Sequence, residues 1–410
     1  MIAPVSSPRR RTALAFVYVT ALLDMLAFGV VIPVLPFLIK ELTGGDTARA
    51  AEIAGGFGFL FATMQFVFGP VLGALSDRFG RRPIILLSNL GLGLDYVVMA
   101  LAPNLWWLLA GRVVAGITSA SYATACAYVA DTAPPEERAA GFGMLGALFG
   151  FGFIVGPLLG GVLGHHDPRL PFWFAGGLSL ANALYGLLVL PESLPRERRA
   201  PFHWTRANPV GALALLRSRP ALVVLTVVVV LNNLGHDVNP HVFVFYTSTR
   251  YGWDSAAVGA TLMALGVCTM LISGALVGPI VARLGEATTL VLGLSAGTLG
   301  FALQASASSG SGFRLAIPLI ALWGVQSPAV QGLMARQVGA SEQGRLQGAL
   351  QSLRGLCELG TPLLYTQVFA RFSDPASAAF LIPGAPYWLA AALVGAALAV
   401  SVVGAATRPA

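Results

Sequence analysis

Apolar runs of spanning length alternate with short charged clusters along the whole chain. A helix that crosses a bilayer needs about 20 mostly apolar residues. About twelve segments meet that demand: 13–39, 52–76, 83–102, 105–130, 139–164, 170–190, 221–247, 255–282, 287–308, 314–335, 345–370 and 378–405. The longest interruption, 191–220, carries Arg196, Arg198, Arg199, Arg206, Arg217 and Arg219 among several prolines. It separates six segments from six and reads as a cytoplasmic linker. The pattern predicts an all-α membrane protein of twelve transmembrane helices. Its expected domains are 1–190, a linker 191–220, and 221–410.

Composition agrees. The 410 residues are 56% hydrophobic and 10% charged, with mean hydropathy +0.75. Soluble domains carry roughly 25% charged residues. Cys126, Cys268 and Cys357 all lie in apolar runs, with no spacing for a metal or a disulfide framework. The net charge of +7 does not point to nucleic acid, because the basic residues fall in loops between spans. Arg9, Arg10 and Arg11 precede an apolar run without a small-residue cleavage site, so that run is expected to stay as the first span. With the N-terminus inside, most bases are cytoplasmic. Lys40, Arg49, Arg169, Arg250, Arg314 and Arg371 fall outside, while Arg112 and Arg354 lie within spans. Both termini are therefore expected in the cytoplasm.

The densest signal is Gly73-Ala-Leu-Ser-Asp77-Arg78-Phe-Gly80-Arg81-Arg82-Pro83, four charges in six residues between two apolar segments. It resembles the signature loop of the major facilitator superfamily of secondary transporters. The two halves also echo each other at one offset. Gly73, Arg78 and Gly80 fall on Gly278, Arg283 and Gly285, and Glu137 and Gly143 fall on Glu342 and Gly348. Two such matches argue for an internal repeat, as in transporters built from two parallel six-helix halves. The fold expected is therefore two pseudo-symmetric six-helix bundles.

Ionisable residues inside spans cost at least ~2.5 kcal/mol at the membrane centre, so each is a functional candidate. Here they are Asp24, Asp95, Arg112, His236 with Asp237, and Arg354 with Glu358. Asp24 is a candidate to load and release protons, the alternative being a static pair with Arg112. Asp95 is read the same way. Arg354 and Glu358 are spaced i, i+4 and can neutralise each other. The seventh span is unusually polar, with Asn232, Asn233 and Asn239, and Pro240 interrupts its helix ladder. Asp237 is expected to face a cavity without a fixed cation, and to set the pH dependence of release more than Glu358.

Gly152, Gly156, Pro157, Gly160 and Gly161 form a small-residue stripe in the fifth span, which allows close helix approach. It resembles the Gly-Pro motif of antiporters in this superfamily. No zinc-protease, P-loop, nucleophile-elbow or dinucleotide motif occurs. His165 and His166 are adjacent and at a loop, without metal-binding spacing. No enzyme activity, metal, cofactor or ATP dependence is expected.

The resemblance narrows further. Leu23-Asp24 through Pro36, the loop at 73–83, Leu94-Asp95-Tyr96, Gly111-Arg112 through Thr118 and Phe149 through Gly161 are similar to the tetracycline/proton antiporters. So are Pro191-Glu192-Ser193, Ala282 through Glu286 and Pro328 through Gly332. That resemblance implies a central cavity, alternating access and inward proton flow. It implies transport or coupling roles for Asp24, Asp95 and Arg112, and a substrate-cavity position for Gln65. It implies an inner-gate latch built from Asp77, Arg78, Arg81 and Arg82, closed by Asp131. In the second half the family's histidine and aspartate fall at Thr269 and Gly297, which cannot titrate. Asp237 and Glu358 are the replacements offered, with Asn232, Asn233, His236, Gln331 and Arg354 as cavity candidates. The function expected is proton-coupled export of a small amphipathic, tetracycline-like compound by a monomer in the bacterial inner membrane. Proton-linked uptake of a metabolite and a transport-inactive sensor or scaffold are the alternatives. The partners expected are a small-molecule substrate, protons and the lipid bilayer.

Overall fold

The computed structural model describes residues 8–134, 137–199, 211–339, 342–372 and 380–406. Among these, regular structure is helical, with no strand. In a bilayer every backbone N–H and C=O must be satisfied internally, and a helix does so within one segment. Part of the linker expectation, Arg206 included, lies outside the described residues, as do the terminal residues.

The first eight helices are α1 (Pro8–Val31), α2 (Leu35–Leu42), α3 (Thr47–Phe79), α4 (Arg81–Leu101), α5 (Leu105–Thr118), α6 (Ser121–Thr132), α7 (Arg138–His166) and α8 (Leu170–Val189). Pro33 separates α1 from α2, because proline cannot donate to the helix ladder and disfavours helical backbone before it, and Pro36 sits in the first turn of α2, where a missing N–H is tolerated. The fourth apolar segment is divided at Ser119–Ala120, where the Ser88 hydroxyl accepts from the Ala120 N–H at 3.3 Å. Gly80 turns the chain between α3 and α4 with φ 109, a backbone state that favours glycine.

The remaining helices are α9 (Pro220–His236), α10 (Val238–Tyr251), α11 (Ser255–Leu271), α12 (Val277–Ser306), α13 (Gly310–Leu315), α14 (Ile317–Trp323), α15 (Gln326–Ala335), α16 (Gln343–Phe372) and α17 (Ala385–Ala406). Pro240 has its effect upstream of itself. Its ring excludes the carbonyl of residue 236 from helical geometry, and the break falls at Asp237, between α9 and α10. A π-helical turn, Ile272–Leu276, joins α11 to α12.

Ten stretches among the described residues are long and apolar enough to cross a membrane. One of them, Ser255–Ser306, has 52 residues. At 1.5 Å per residue it is far too long for one crossing of a ~30 Å core, and it turns at Gly285, φ 74. The 30-residue helix α16 is not among the ten. Gln343, Arg345, Gln347, Gln351, Arg354 and Glu358 make it too polar.

The described chain clusters into two compact units. One comprises residues up to 38 together with 63–208, and the other comprises 39–62 together with 209 onward. In the first, α1 packs on α7 and α8, and α4 packs on α5, α6 and α8. Ala13, Val17, Ile85, Tyr128, Val129 and Leu145 form its inner core. In the second, α17 packs on α9 and α12, while α16 packs on α9 and α10. The first part of α3 belongs to this second unit. A Cβ on Gly58 would meet the Pro362 ring at 2.9 Å. Large apolar side chains such as Val67, Leu94, Leu188, Leu299 and Val403 are exposed, the surface that lipid requires.

Candidate functional site

In the first unit, Asp24 is buried on α1. Its Oδ1 accepts no hydrogen bond, and the hydroxyl beside the carboxyl is that of Ser121 at the start of α6. Among the described residues no cation pairs with it. Arg112 instead forms its ion pair with Asp95, whose side chain is fully buried. Arg112 also lies 3.7 Å from the Met99 sulfur. A Cβ on Gly111 would strike the Asp95 carboxylate, so the glycine before the arginine makes room for the acid. The static Asp24–Arg112 pair considered from sequence does not form. The register of α4 on α5 presents Asp95 to Arg112 first.

The small-residue stripe holds the helix that carries Asp24. A Cβ on Gly152 would lie 2.6 Å from Met25 Cβ, and one on Gly156 would lie 2.7 Å from Gly29 Cα. Gly160 faces the Val30 backbone, and Pro157 Cδ packs against Gly29. Backbone thus meets backbone where α7 crosses α1. Gly161 lies on the same helix. Gln65 donates to the Ser119 hydroxyl at 3.0 Å, fixing its amide beside the α5–α6 break.

At the hairpin between α3 and α4, Arg81 is the centre. Its Nε donates to Asp131 at 2.8 Å, and its Nη1 donates to Asp77 at 2.5 Å and to Ser76 at 3.2 Å. Arg81 is mostly buried and Asp77 is half exposed. Arg78 lies over the Phe79 ring at 5.1 Å. Arg82 donates to the carbonyls of Gly186 and Leu187 at the end of α8. Gly73, Ser76, Asp77, Arg81 and Thr124 line a cleft of about 200 Å³.

Glu192 was quoted in the sequence resemblance without a role, and the structure supplies one. Its carboxylate accepts from the N–H groups of Arg81 at 2.8 Å and Arg82 at 3.3 Å. It also accepts from Ser193 and Leu194, both at 3.0 Å. An acid at the N-terminus of α4 satisfies orphan donors and complements the helix dipole. A side chain on Gly80 would displace it. Tyr128 donates to the Pro191 carbonyl at 2.9 Å, so the beginning of the linker is docked on the hairpin.

The second unit repeats this hairpin with the charges exchanged. Arg81 plus the repeat offset is Glu286, and Asp131 plus that offset is Arg336. Glu286 and Arg336 form an ion pair at 2.9 Å. Gly80 and Gly285, their partners in the repeat, both have positive φ. The offset seen in the sequence was sufficient to find this pair.

Mid-span in the second unit, Asp237 is clamped. Its Oδ1 receives Arg354 Nη2 at 2.9 Å and lies 3.2 Å from His236 Nδ1. Its Oδ2 receives Thr361 Oγ1 at 2.8 Å. The expectation that Asp237 lacks a fixed cation is therefore wrong. The break at residue 237 aims its carboxylate at α16, where Arg354 and Thr361 are two turns apart. Arg354 Nε also donates to Glu358 at 2.7 Å. His241, not singled out from sequence, lies 3.5 Å from the Thr361 hydroxyl. Asn233 lies beside Cys357. Asn232 is occupied in packing, because its Oδ1 accepts from Trp323 Nε1 at 2.9 Å. Gln331 is exposed and donates to Ser327 at 3.3 Å. Among the described residues no group of three or more His, Cys, Asp or Glu could hold a metal ion.

The family model of the Major Facilitator Superfamily matches residues 17–362. The class C tetracycline resistance protein of Escherichia coli is 38% identical over 385 residues, 93% of this chain and 96% of that protein. The class B protein of Escherichia coli is 36% identical, over 86% of this chain and 87% of its own length. Among solved structures, the human organic anion transporter MFSD10 superposes with TM-score 0.69 at 24% identity, covering 96% of this chain and all of that one. The nucleoside transporter NupG superposes with TM-score 0.76 at 12% identity, covering 97% of this chain.

Proposed function

The chain belongs to the Major Facilitator Superfamily, and we propose that it is a proton-coupled antiporter that exports a small amphipathic compound. It is an integral membrane transporter and not an enzyme. The finer reading adds twelve crossings, cytoplasmic termini, a bacterial inner-membrane location and a working monomer. The relatives named tetracycline resistance proteins support export of a tetracycline-like molecule.

The observation that carries the proton coupling is Asp24. A carboxylate buried mid-span and lacking a paired cation is stable in hydrocarbon when it holds a proton, and costly when it does not. It is therefore a group that must exchange its proton with some event. Asp95 and Arg112 neutralise each other. Alternating access follows from the inner hairpin, whose charge pairs bias one conformation and release it when broken. The hairpin residues Gly73, Asp77, Arg78, Gly80, Arg81, Arg82 and Asp131 form that latch, with Glu192 as an added strut.

The test is proton release from purified protein in detergent while a panel of compounds, tetracycline among them, is titrated in. Release on binding, lost in Asp24→Asn, is the expected result. Binding without proton release would remove antiport.

A further inference from the structure

We propose that Glu192 is a positioning residue for the Arg81–Asp131 pair, and that the chain from Pro191 to Arg199 is a strap that sets the latch. This deepens the latch reading above and rests on it.

The strap begins where α8 ends and crosses the turn at Gly80. A Cβ on Gly80 would strike the Glu192 carboxylate and meet Arg199 Nη2 at 3.0 Å. Glu192 Oε1 accepts the backbone N–H of Arg81 at 2.8 Å and those of Ser193 and Leu194 at 3.0 Å. Its Oε2 accepts the Arg82 N–H at 3.3 Å and lies 3.9 Å from Arg199 Nη2. One carboxylate therefore folds the strap's own turn and caps the first turn of α4. Hydrogen bonds to an ionised acceptor are about twice as strong as neutral ones.

The strap also holds both helices that carry the pair. Arg81 is the first residue of α4, and Glu192 fixes its N–H. Asp131 lies in the last turn of α6. Its Oδ2 accepts from the Ser193 hydroxyl at 3.4 Å. Tyr128, one turn earlier, donates to the Pro191 carbonyl at 2.9 Å. Arg81 Nε and Asp131 Oδ2 then meet at 2.8 Å. Each partner of the ion pair is thus tied to a neighbouring residue of one short segment.

The backbone explains why this tie matters. The first N–H groups of a helix have no partner within it, and Gly80 offers no side chain to accept them. Glycine also leaves the chain free to pivot at that point. Glu192 removes this freedom, and so aims the Arg81 guanidinium. Arg81 also donates to Asp77 and Ser76, so a shift of its Cα redistributes three bonds. The capping site takes an anion, because four N–H groups converge on it with Arg199 alongside.

The experiment uses the purified full-length protein in detergent and needs no substrate. A double-mutant cycle on thermal unfolding, with Arg81→Leu and Asp131→Asn, reads the coupling between the pair. In a Glu192→Ala background that coupling should fall by about half or more. Exchange of the backbone amides at the start of α4 should quicken roughly 10-fold. Sodium formate should restore both, since a free carboxylate can fill the vacated site, whereas sodium chloride at equal ionic strength should not. Glu192→Gln keeps one acceptor oxygen and the same shape. It should weaken the coupling by less, and it carries the test if the Ala variant does not fold. Unchanged coupling in the variants that fold would make Glu192 a structural cap only and overturn the proposal. No recovery in formate, or equal recovery in chloride, would also overturn it.

Tetracycline transport in vesicles separates the strap from the latch. If Glu192→Ala weakens the pair while Arg81→Leu and Asp131→Asn transport at the wild-type rate, the latch reading fails and the strap stands. If those two variants slow transport while Glu192→Ala changes neither coupling nor rate, the strap fails and the latch stands.

Discussion

Asp24 and Asp237 are both aspartates buried in mid-span, one in each unit, and their surroundings differ. Asp24 sits on a continuous helix, held by glycine contacts, with an unpaired oxygen beside Ser121. Asp237 sits at a helix break, clamped by Arg354 and Thr361. The same residue type is thus an acid without a cation partner among the described residues in one unit and an arginine-bridged acid in the other. The comparison also reveals a shared plan. Each unit holds one arginine-paired aspartate, Asp95 with Arg112 or Asp237 with Arg354, and one looser acid, Asp24 or Glu358, although Asp95 Oδ1 also accepts no hydrogen bond. A paired acid is neutralised in place, and on the proton-coupling reading proposed above Asp24 is the acid left to respond to protons.

The hairpins at Gly80 and Gly285 make a second contrast. Arg81–Asp131 and Glu286–Arg336 occupy matching positions with opposite polarity. An ion pair has no direction in its attraction, so either order closes the turn. What differs is the surrounding network. In the first unit Asp77, Ser76 and Glu192 also converge on residues 81 and 82, whereas the position matching Asp77 is Ala282. The first hairpin is therefore the more densely bonded of the two.

The largest expected effect tests the looser acid of the first unit. Asp24→Asn should abolish proton-driven transport in vesicles while leaving the protein folded and inserted. Transport against a gradient at near wild-type rate would erase the distinction between Asp24 and the clamped acids.

Next comes the frame of the second unit. Arg354→Leu strands a buried carboxylate, so it should destabilise the protein by about 3–5 kcal/mol. Adding Asp237→Asn should recover much of that loss. Thermal unfolding in detergent measures both, and a single variant as stable as wild type would show that the clamp is not structural.

The glycine stripe ranks third. Gly156→Leu forces α7 away from α1 and should cost about 1–3 kcal/mol through overpacking. Gly143→Leu on the same helix meets open space and should cost nothing measurable. Equal losses would mean that close approach at Gly29 is unimportant.

Smaller effects belong to the hairpins. Asp131→Asn should slow conformational cycling more than Asp77→Asn, because Asp131 is 21% exposed and Asp77 53%, and solvent screens the exposed partner. Ligand binding should survive both. A variant that loses binding yet cycles normally would remove the latch assignment. The smallest is Arg336→Asp, at about 0.5–1 kcal/mol, because Arg336 is 73% exposed although Glu286 is only 17% exposed. Combining it with Glu286→Arg should restore stability, since only the polarity changes. If the double variant is worse than either single one, the two hairpins are not equivalent.

The apolar segments were legible from composition and length, because a bilayer leaves the backbone only self-satisfied helices. The hairpin glycines were legible too, since positions 80 and 285 recur at the repeat offset and both demand positive φ. Their charge partners were within reach of the same offset. The role of Glu192 was not, because a carboxylate that accepts backbone N–H groups 110 residues away has no sequence spacing to betray it. Nor was the division of the fourth segment at Ser119–Ala120, which rests on a side chain from another helix.

The chain alone therefore determined where helices run, where charges enter the membrane, and how many of each sign there are. Local chemistry and the cost of desolvation set those features residue by residue. Only the tertiary structure decided which acid each arginine neutralises. Arg112 reaches Asp95 across 17 positions, and Arg354 reaches Asp237 across 117. Those choices depend on the register of one helix against another, which packing sets and sequence periodicity does not record. They determine which carboxylates are paired with a cation and which are not.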